Sequence, residues 1–186
     1  NEKKTMNTHL HIVEAYANLY LVWPNQKLKE AIKEILEIVD LHFIDKTKNH
    51  LKLFFDENWV EKEDVISYGH DIEATWLLQE AAEIIGDEKA IATFKNLALK
   101  LADAAAEGLA KNGGLYYELD TQSAHLVEEF HWWPQAEAMV CFFNAWQISG
   151  DTAYLSKSLH SWNFVKKHIK DHESGEWFWG VNGDYS

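Results

Sequence analysis

Basic side chains and cysteine are both scarce in this chain. Seventeen lysine and arginine residues face thirty aspartates and glutamates, a formal net charge of −13. Binding a phosphate backbone needs clustered positive charge, so nucleic acid is excluded as a partner class. A single cysteine, Cys141, rules out an intrachain disulfide and makes the cytoplasm the expected compartment. No apolar run approaches the roughly 20 residues that span a bilayer, and no basic segment leads into an apolar stretch as in a secretory signal. Proline occurs only twice, and alternating strand patterns are nearly missing. What remains is a globular composition: 186 residues, 47% hydrophobic and 13% aromatic, enough for one domain core. Nine tryptophans stand out. Core filling is their commoner use, but beside polar groups they also stack on sugars. The chain opens on Asn1-Glu2-Lys3 without a methionine and stops after Asp184-Tyr185-Ser186, so both ends read as cut.

Helical spacing dominates. From Lys27 to Asp45, Leu28, Ile32, Ile35, Leu36 and Val39 form one stripe. Glu88 to Lys111 and Thr152 to Lys170 repeat the pattern, each an amphipathic helix with a solvated face. Between them lie segments apolar all round, expected to be helices buried on most sides: Thr8–Trp23, His70–Ile85 and Pro134–Ile148. Each carries Glu-Ala near its start (Glu14-Ala15, Glu73-Ala74, Glu137-Ala138) and ends at a breaker: Trp23-Pro24-Asn25, Gly86-Asp87 or Gly150-Asp151. An aromatic segment follows each amphipathic helix: Leu53-Phe54-Phe55, Leu115-Tyr116-Tyr117 and Trp177-Phe178-Trp179. The unit is an inner helix, a tight turn, an outer helix and a loop or short strand, repeating about every 60 residues. Three such hairpins, at about 7–60, 67–120 and 130–186, form one partial all-α domain. An open solenoid and an α/α toroid of six hairpins are both built this way. Long loops at one end of each inner helix favour the toroid, an (α/α)6 barrel of which this chain supplies about half.

Polar residues gather where the inner segments begin: Asn7-Thr8-His9-Leu10-His11-Ile12-Val13-Glu14, Ser67-Tyr68-Gly69-His70-Asp71-Ile72-Glu73, and Glu128-Glu129-Phe130-His131-Trp132-Trp133-Pro134-Gln135-Ala136-Glu137. In a toroid these ends meet at one mouth. Residues three apart share a helix face, which sets His11 beside Glu14 and His70 beside Glu73. An imidazole held by a carboxylate moves protons near neutral pH, and open helix N–H groups suit a developing oxyanion. Trp132 and Trp133 could stack on a pyranose while Gln135 and Glu137 bind hydroxyls. Each of these has a structural reading as well: a lone histidine at a helix start is commonly a hydrogen-bonding residue, and a Trp-Trp pair is commonly core. His9 and His11 have the spacing of metal ligands, but nothing completes a set, so no metal is expected. Glu73 and Glu137 also resemble a glycosidase carboxylate pair. His42, His50, His125, His160, His168 and His172 fall on amphipathic faces or loops and are expected in solvent.

Four runs carry a resemblance over essentially the whole chain: Asn7 to Ala15, Ser67 to Ala74, Trp132 to Glu137 and Gly175-Glu176-Trp177-Phe178-Trp179-Gly180. They resemble the cellobiose 2-epimerase family, within the N-acylglucosamine 2-epimerase superfamily, in its C-terminal half. The resemblance implies an (α/α)6 barrel and a cofactor-free isomerase. Such an enzyme converts the reducing-end glucose of a β-1,4-linked disaccharide such as cellobiose or lactose to mannose, through a cis-enediolate at C1–C2. It further implies His70 as the base, Glu73 orienting it, and His11 and Asn7 at the C1–C2 oxygens. Trp76, Trp132, Trp133, Glu137 and Trp179 are implied as sugar contacts. The family also uses an arginine from the first half of the barrel and a second histidine beyond Ser186. His172 precedes the Gly175–Gly180 run and is not that histidine. The remainder of the barrel is therefore the expected partner. Other readings are an N-acylglucosamine or mannose isomerase, a glycoside hydrolase using Glu73 and Glu137, and a non-catalytic sugar-binding half.

Overall fold

In the computed structural model, which describes residues 4–186, helical hairpins follow one another three times, each closed by short strands. The first comprises β1 (Lys4–Thr5), α1 (Met6–Val22), α2 (Gln26–Ile38) and β2 (Phe54–Phe55). The second runs through β3 (Val65–Ser67), α3 (Tyr68–Ile84), α4 (Glu88–Ala105), β4 (Glu118–Asp120) and β5 (His125–Val127). The third has β6 (Glu129–His131), α5 (Trp132–Ser149), α6 (Thr152–Phe164) and β7 (Gly180–Asn182).

The turn residues do what their chemistry suggests. Gly86 and Gly150 take left-handed backbone, at φ of 61° and 73°. Asn25, Asp87 and Asp151 then cap α2, α4 and α6, accepting backbone N–H groups of Lys27, Ala90 and Ala153. The amphipathic segments are shorter as regular helix than their patterns suggested. α2 and α6 widen into π-type turns at Val39–Phe43 and Val165–Ile169, and α4 tightens at Ala106–Gly108. These turns keep apolar residues such as Phe43 and Ile169 in the core while the chain changes direction.

Each long connection returns to pair antiparallel with the strand that enters its own inner helix: β2 with β1, β4 with β3 and β7 with β6. β5 extends the middle ribbon. Strands of two or three residues are too short to show alternation. Their effect is to clamp the N-terminal ends of α1, α3 and α5.

α3 packs between α1 and α5, with α2, α4 and α6 behind. Burial all round holds for α3 alone. α1 buries Met6, Leu10, Val13 and Ala17 but exposes Ile12, Tyr16, Leu19, Leu21 and Val22, and α5 exposes Val140 and Phe143. These two helices end the row, so nothing among the described residues covers their far sides. No helix among the described residues is long and apolar enough to cross a membrane.

Candidate functional site

β3 runs straight into α3, so Ser67 is both the last strand residue, paired with Glu118, and the N-cap of the helix. Its hydroxyl makes no capping bond to the backbone. It lies 2.8 Å from Nδ1 of His70 instead. The His70 ring rests against Trp133 from α5, with centroids 4.9 Å apart. That approach depends on Gly69, where a Cβ atom would come within 2.6 Å of the Trp133 ring. Burial, with a smaller contribution from the charge of His11, lowers the His70 pKa to about 4. The ring is neutral at pH 7. The sequence places Glu73 beside His70, but the partner that holds the ring is Ser67.

Glu73 turns toward α1. Its carboxyl is 3.9 Å from Nε2 of His11, whose Nδ1 lies 3.0 Å from Glu14. One turn further along α3, the Trp76 indole donates to Glu137 of α5 at 2.7 Å. Burial, reinforced by the Glu137 carboxylate and partly offset by His11, raises the Glu73 pKa to about 7. Burial also raises Glu137, opposed by hydrogen bonds from Trp76 and the Cys141 thiol. Three helices thus bring two imidazoles and three carboxyls together, with one imidazole held neutral and one carboxyl titrating near neutral pH. Such a divided set can take a proton at one point and supply one at another.

An aromatic wall stands beside this cluster. The Trp132 N–H donates to the Trp179 carbonyl, an extension of the β6–β7 pairing. Trp132, Trp177 and Trp179 line an open groove with Ala136 and Glu176. Trp132 is 40% exposed and Trp179 72%, so neither is core filling. Trp133 is half-buried between His70 and Tyr117. Asn7 is exposed in the first turn of α1.

One expectation drawn from histidine needs correction. His50 is 4% exposed, not solvated, and its Nδ1 lies 2.6 Å from the fully buried Asp71. Asp71 also accepts the Leu51 N–H at 2.7 Å. Burial alone would depress His50, but the bonds and charges of Asp71 and Glu107 outweigh it and hold its pKa above the ordinary value. The pair pins the connection after α2 to the first turn of α3, directly behind His70. No periodicity in the sequence signals it, because the partners come from different hairpins. His9 points away from His11. Its Nδ1 lies 2.7 Å from the Thr5 carbonyl oxygen and its ring packs on Phe43, away from the cleft. Ser67 is the cleft residue whose role the sequence left unassigned.

The pattern that describes the N-acylglucosamine 2-epimerase (GlcNAc 2-epimerase) family matches residues 1–186. A cellobiose 2-epimerase of Bacteroides fragilis is 45% identical over 186 residues, covering 100% of this chain and 47% of that protein. The crystal structure of a sugar epimerase from a ruminal bacterium superimposes with a TM-score of 0.95 at 36% identity, over 100% of this chain and 47% of that one. The structure of cellobiose 2-epimerase from Bacillus thermoamylovorans gives 0.91 at 37% identity, again over 100% and 47%. The chain therefore spans about half the length of the curated relatives it matches, and its six helices are half of an (α/α)6 barrel. The covering pattern match, together with three hairpins whose inner helices open on one acid–base cluster, makes this chain a member of the N-acylglucosamine 2-epimerase family.

Proposed function

We propose that this chain is the C-terminal half of a cofactor-independent cellobiose 2-epimerase that works in the cytoplasm on β-1,4-linked disaccharides. The observation that carries the reading is the cluster itself: His70, His11, Glu73 and Glu137 on three neighbouring helices beside an open tryptophan wall. In the reaction the reducing-end ring opens and the C2–H bond breaks. Its electron pair forms the C1–C2 double bond, and the C1 carbonyl oxygen takes the charge. A proton then returns to the opposite face of C2, converting glucose to mannose. His70, His11 and Glu73 are the groups proposed to handle protons and oxygens at C1–C2, with Asn7 at the same oxygens. Trp76, Trp132, Trp133, Glu137 and Trp179 are proposed to hold the two sugars.

The exposed sides of α1 and α5 are proposed to meet the other half of the barrel. That half would supply an arginine, a residue type absent from all 186 positions, while the second histidine would come from beyond Ser186. The test is proton NMR of cellobiose incubated with the protein in D2O, with and without chelator. Deuterium at C2 and a mannose-type epimer, unchanged by chelator, support the proposal. Free glucose would move the assignment to hydrolysis by Glu73 and Glu137. No exchange by this chain, followed by none once the second barrel half is supplied, would end it.

A further inference from the structure

Two inner helices begin without a side-chain cap of their own. α1, α2, α4 and α6 open on Thr5, Asn25, Asp87 and Asp151, whose side chains accept a backbone N–H of the helix they start. α3 and α5 open on Ser67 and His131, and neither side chain does so. Each of these two helices instead carries a fully buried polar side chain at its fourth residue, Asp71 in α3 and Gln135 in α5. Both reach back 20 positions, to the connection that closes the preceding hairpin. Asp71 Oδ1 accepts the Leu51 N–H at 2.7 Å, and Gln135 Oε1 accepts the Leu115 N–H at 2.7 Å. Leu51 and Leu115 are equivalent positions, bridged to Ile44 and Leu109 at the ends of their outer segments. The residue after each donates back in the same way, Lys52 to the Phe43 carbonyl and Tyr116 to that of Gly108. A buried backbone N–H seldom goes unpaired, and here the next hairpin supplies the acceptor both times. Gln135 also donates to the carbonyls of Leu115 and His131, at 2.8 and 3.1 Å. Both ends of its amide are spent on backbone, so it does not bind sugar hydroxyls as its place in the Trp132–Glu137 run suggested.

We propose that Asp71 and Gln135 are equivalent positioning residues, each clamping its inner helix to the hairpin before it and so setting where His70 and Trp133 stand at the cleft. Asp71 directly follows His70, and Gln135 closely follows Trp133, the ring on which His70 rests. With no side-chain cap in either helix, the clamp joins the entering strand in fixing these first turns. Each clamp is braced. The second Asp71 oxygen lies 2.6 Å from His50 Nδ1, and the Gln135 amide has its two donor bonds. Such precision matters, since moving a reacting group by about 1 Å can cost about a hundredfold in rate. What His70 and Trp133 do with a sugar rests on the epimerase reading, whereas the clamps rest on the geometry of this chain alone.

The test is amide hydrogen exchange with proton NMR on this chain, which needs no turnover. In the wild type the Leu51 and Leu115 amides should be protected, and the His70 and Trp133 rings should show nuclear Overhauser contacts. Gln135→Met and Asp71→Val remove the acceptors while filling the space. Each should speed exchange of its own leucine amide by roughly tenfold or more and weaken the contacts between the two rings. Asp71→Asn keeps an oxygen for Leu51 and should restore both readings. Leu28→Ala is the control, because Leu28 is buried in the first turn of α2, at the end of the hairpin away from the inner-helix starts. It lowers stability through lost packing and should leave the ring contacts as they are. Fast exchange at Leu51 and Leu115 in the wild type overturns the proposal. So do ring contacts unmoved in both acceptor variants, or lost equally in Leu28→Ala. Failure here leaves the epimerase reading standing, and absent C2 exchange leaves the clamps standing.

Discussion

Trp76 on α3 donates its indole N–H to the Glu137 carboxylate on α5 at 2.7 Å, across 61 positions of sequence. The bond ties neighbouring inner helices beside the proton-handling groups, and it keeps Glu137 more acidic than burial alone would allow. Trp76→Phe preserves most of the ring volume and removes only the donor. It should cost about 1 kcal/mol, the typical net worth of a hydrogen bond at a part-buried acceptor. Glu137 should also titrate at higher pH. Urea unfolding measures the first effect, and carbon-13 NMR of the side-chain carboxyls the second.

Glu73 and His70 should pull stability in opposite directions with pH. The folded state keeps the Glu73 proton to about pH 7 against an ordinary 4.5, so this group's contribution is fully present below pH 4.5 and is lost as pH rises toward 7. The folded state refuses a proton on His70 until about pH 4 against an ordinary 6.5, so that contribution is present above pH 6.5 and is lost as pH falls toward 4. Each is on the order of 3 kcal/mol across its full window. Between pH 4.5 and 6.5 the two slopes oppose. Relative to the wild type, Glu73→Gln should gain stability with rising pH there and His70→Gln should lose it. Urea midpoints at three or four pH values decide the matter, and parallel curves for both variants would refute the assignment.

Gly69→Ala should displace Trp133, because the new methyl would sit 2.6 Å from its ring. Overpacking of this kind costs about 1–3 kcal/mol, and His70 loses the surface it leans on. The expected outcome is a lower Tm with altered tryptophan fluorescence.

His50→Ala should destabilise by about 3–5 kcal/mol, since it leaves the Asp71 carboxylate buried and unpaired. Converting both residues to apolar ones of similar volume should recover much of that loss. Denaturant unfolding of the single and double variants tests whether the pair acts as a unit.

Trp179 is 72% exposed, so Trp179→Ala should change stability by no more than about 0.5 kcal/mol. If the proposed sugar contact is made, disaccharide affinity falls while unfolding is unmoved. Calorimetric titration beside a melting curve separates the two.

The helices were legible because their signals are local. Apolar spacing, Gly86, Gly150 and the Asx caps each act within a few residues, and the Ser67–Glu73 and Trp132–Glu137 runs lie at the helix starts where polar groups converge. The strand pairings were not legible, because two-residue pairings such as Lys4 with Phe55 owe their existence to the helices that bring them together. Spacing also set His70 against Glu73, whereas packing against Trp133 turned that ring to Ser67.

By itself, then, the sequence determined which segments are helical, where they turn and which polar runs open the inner helices, since those depend on backbone preference and short-range periodicity. Tertiary structure decided which side chains are desolvated and which partner each one meets. His50 became buried with Asp71, and Glu73 faced His11, because removal from water and contact across hairpins exist only once distant segments have packed.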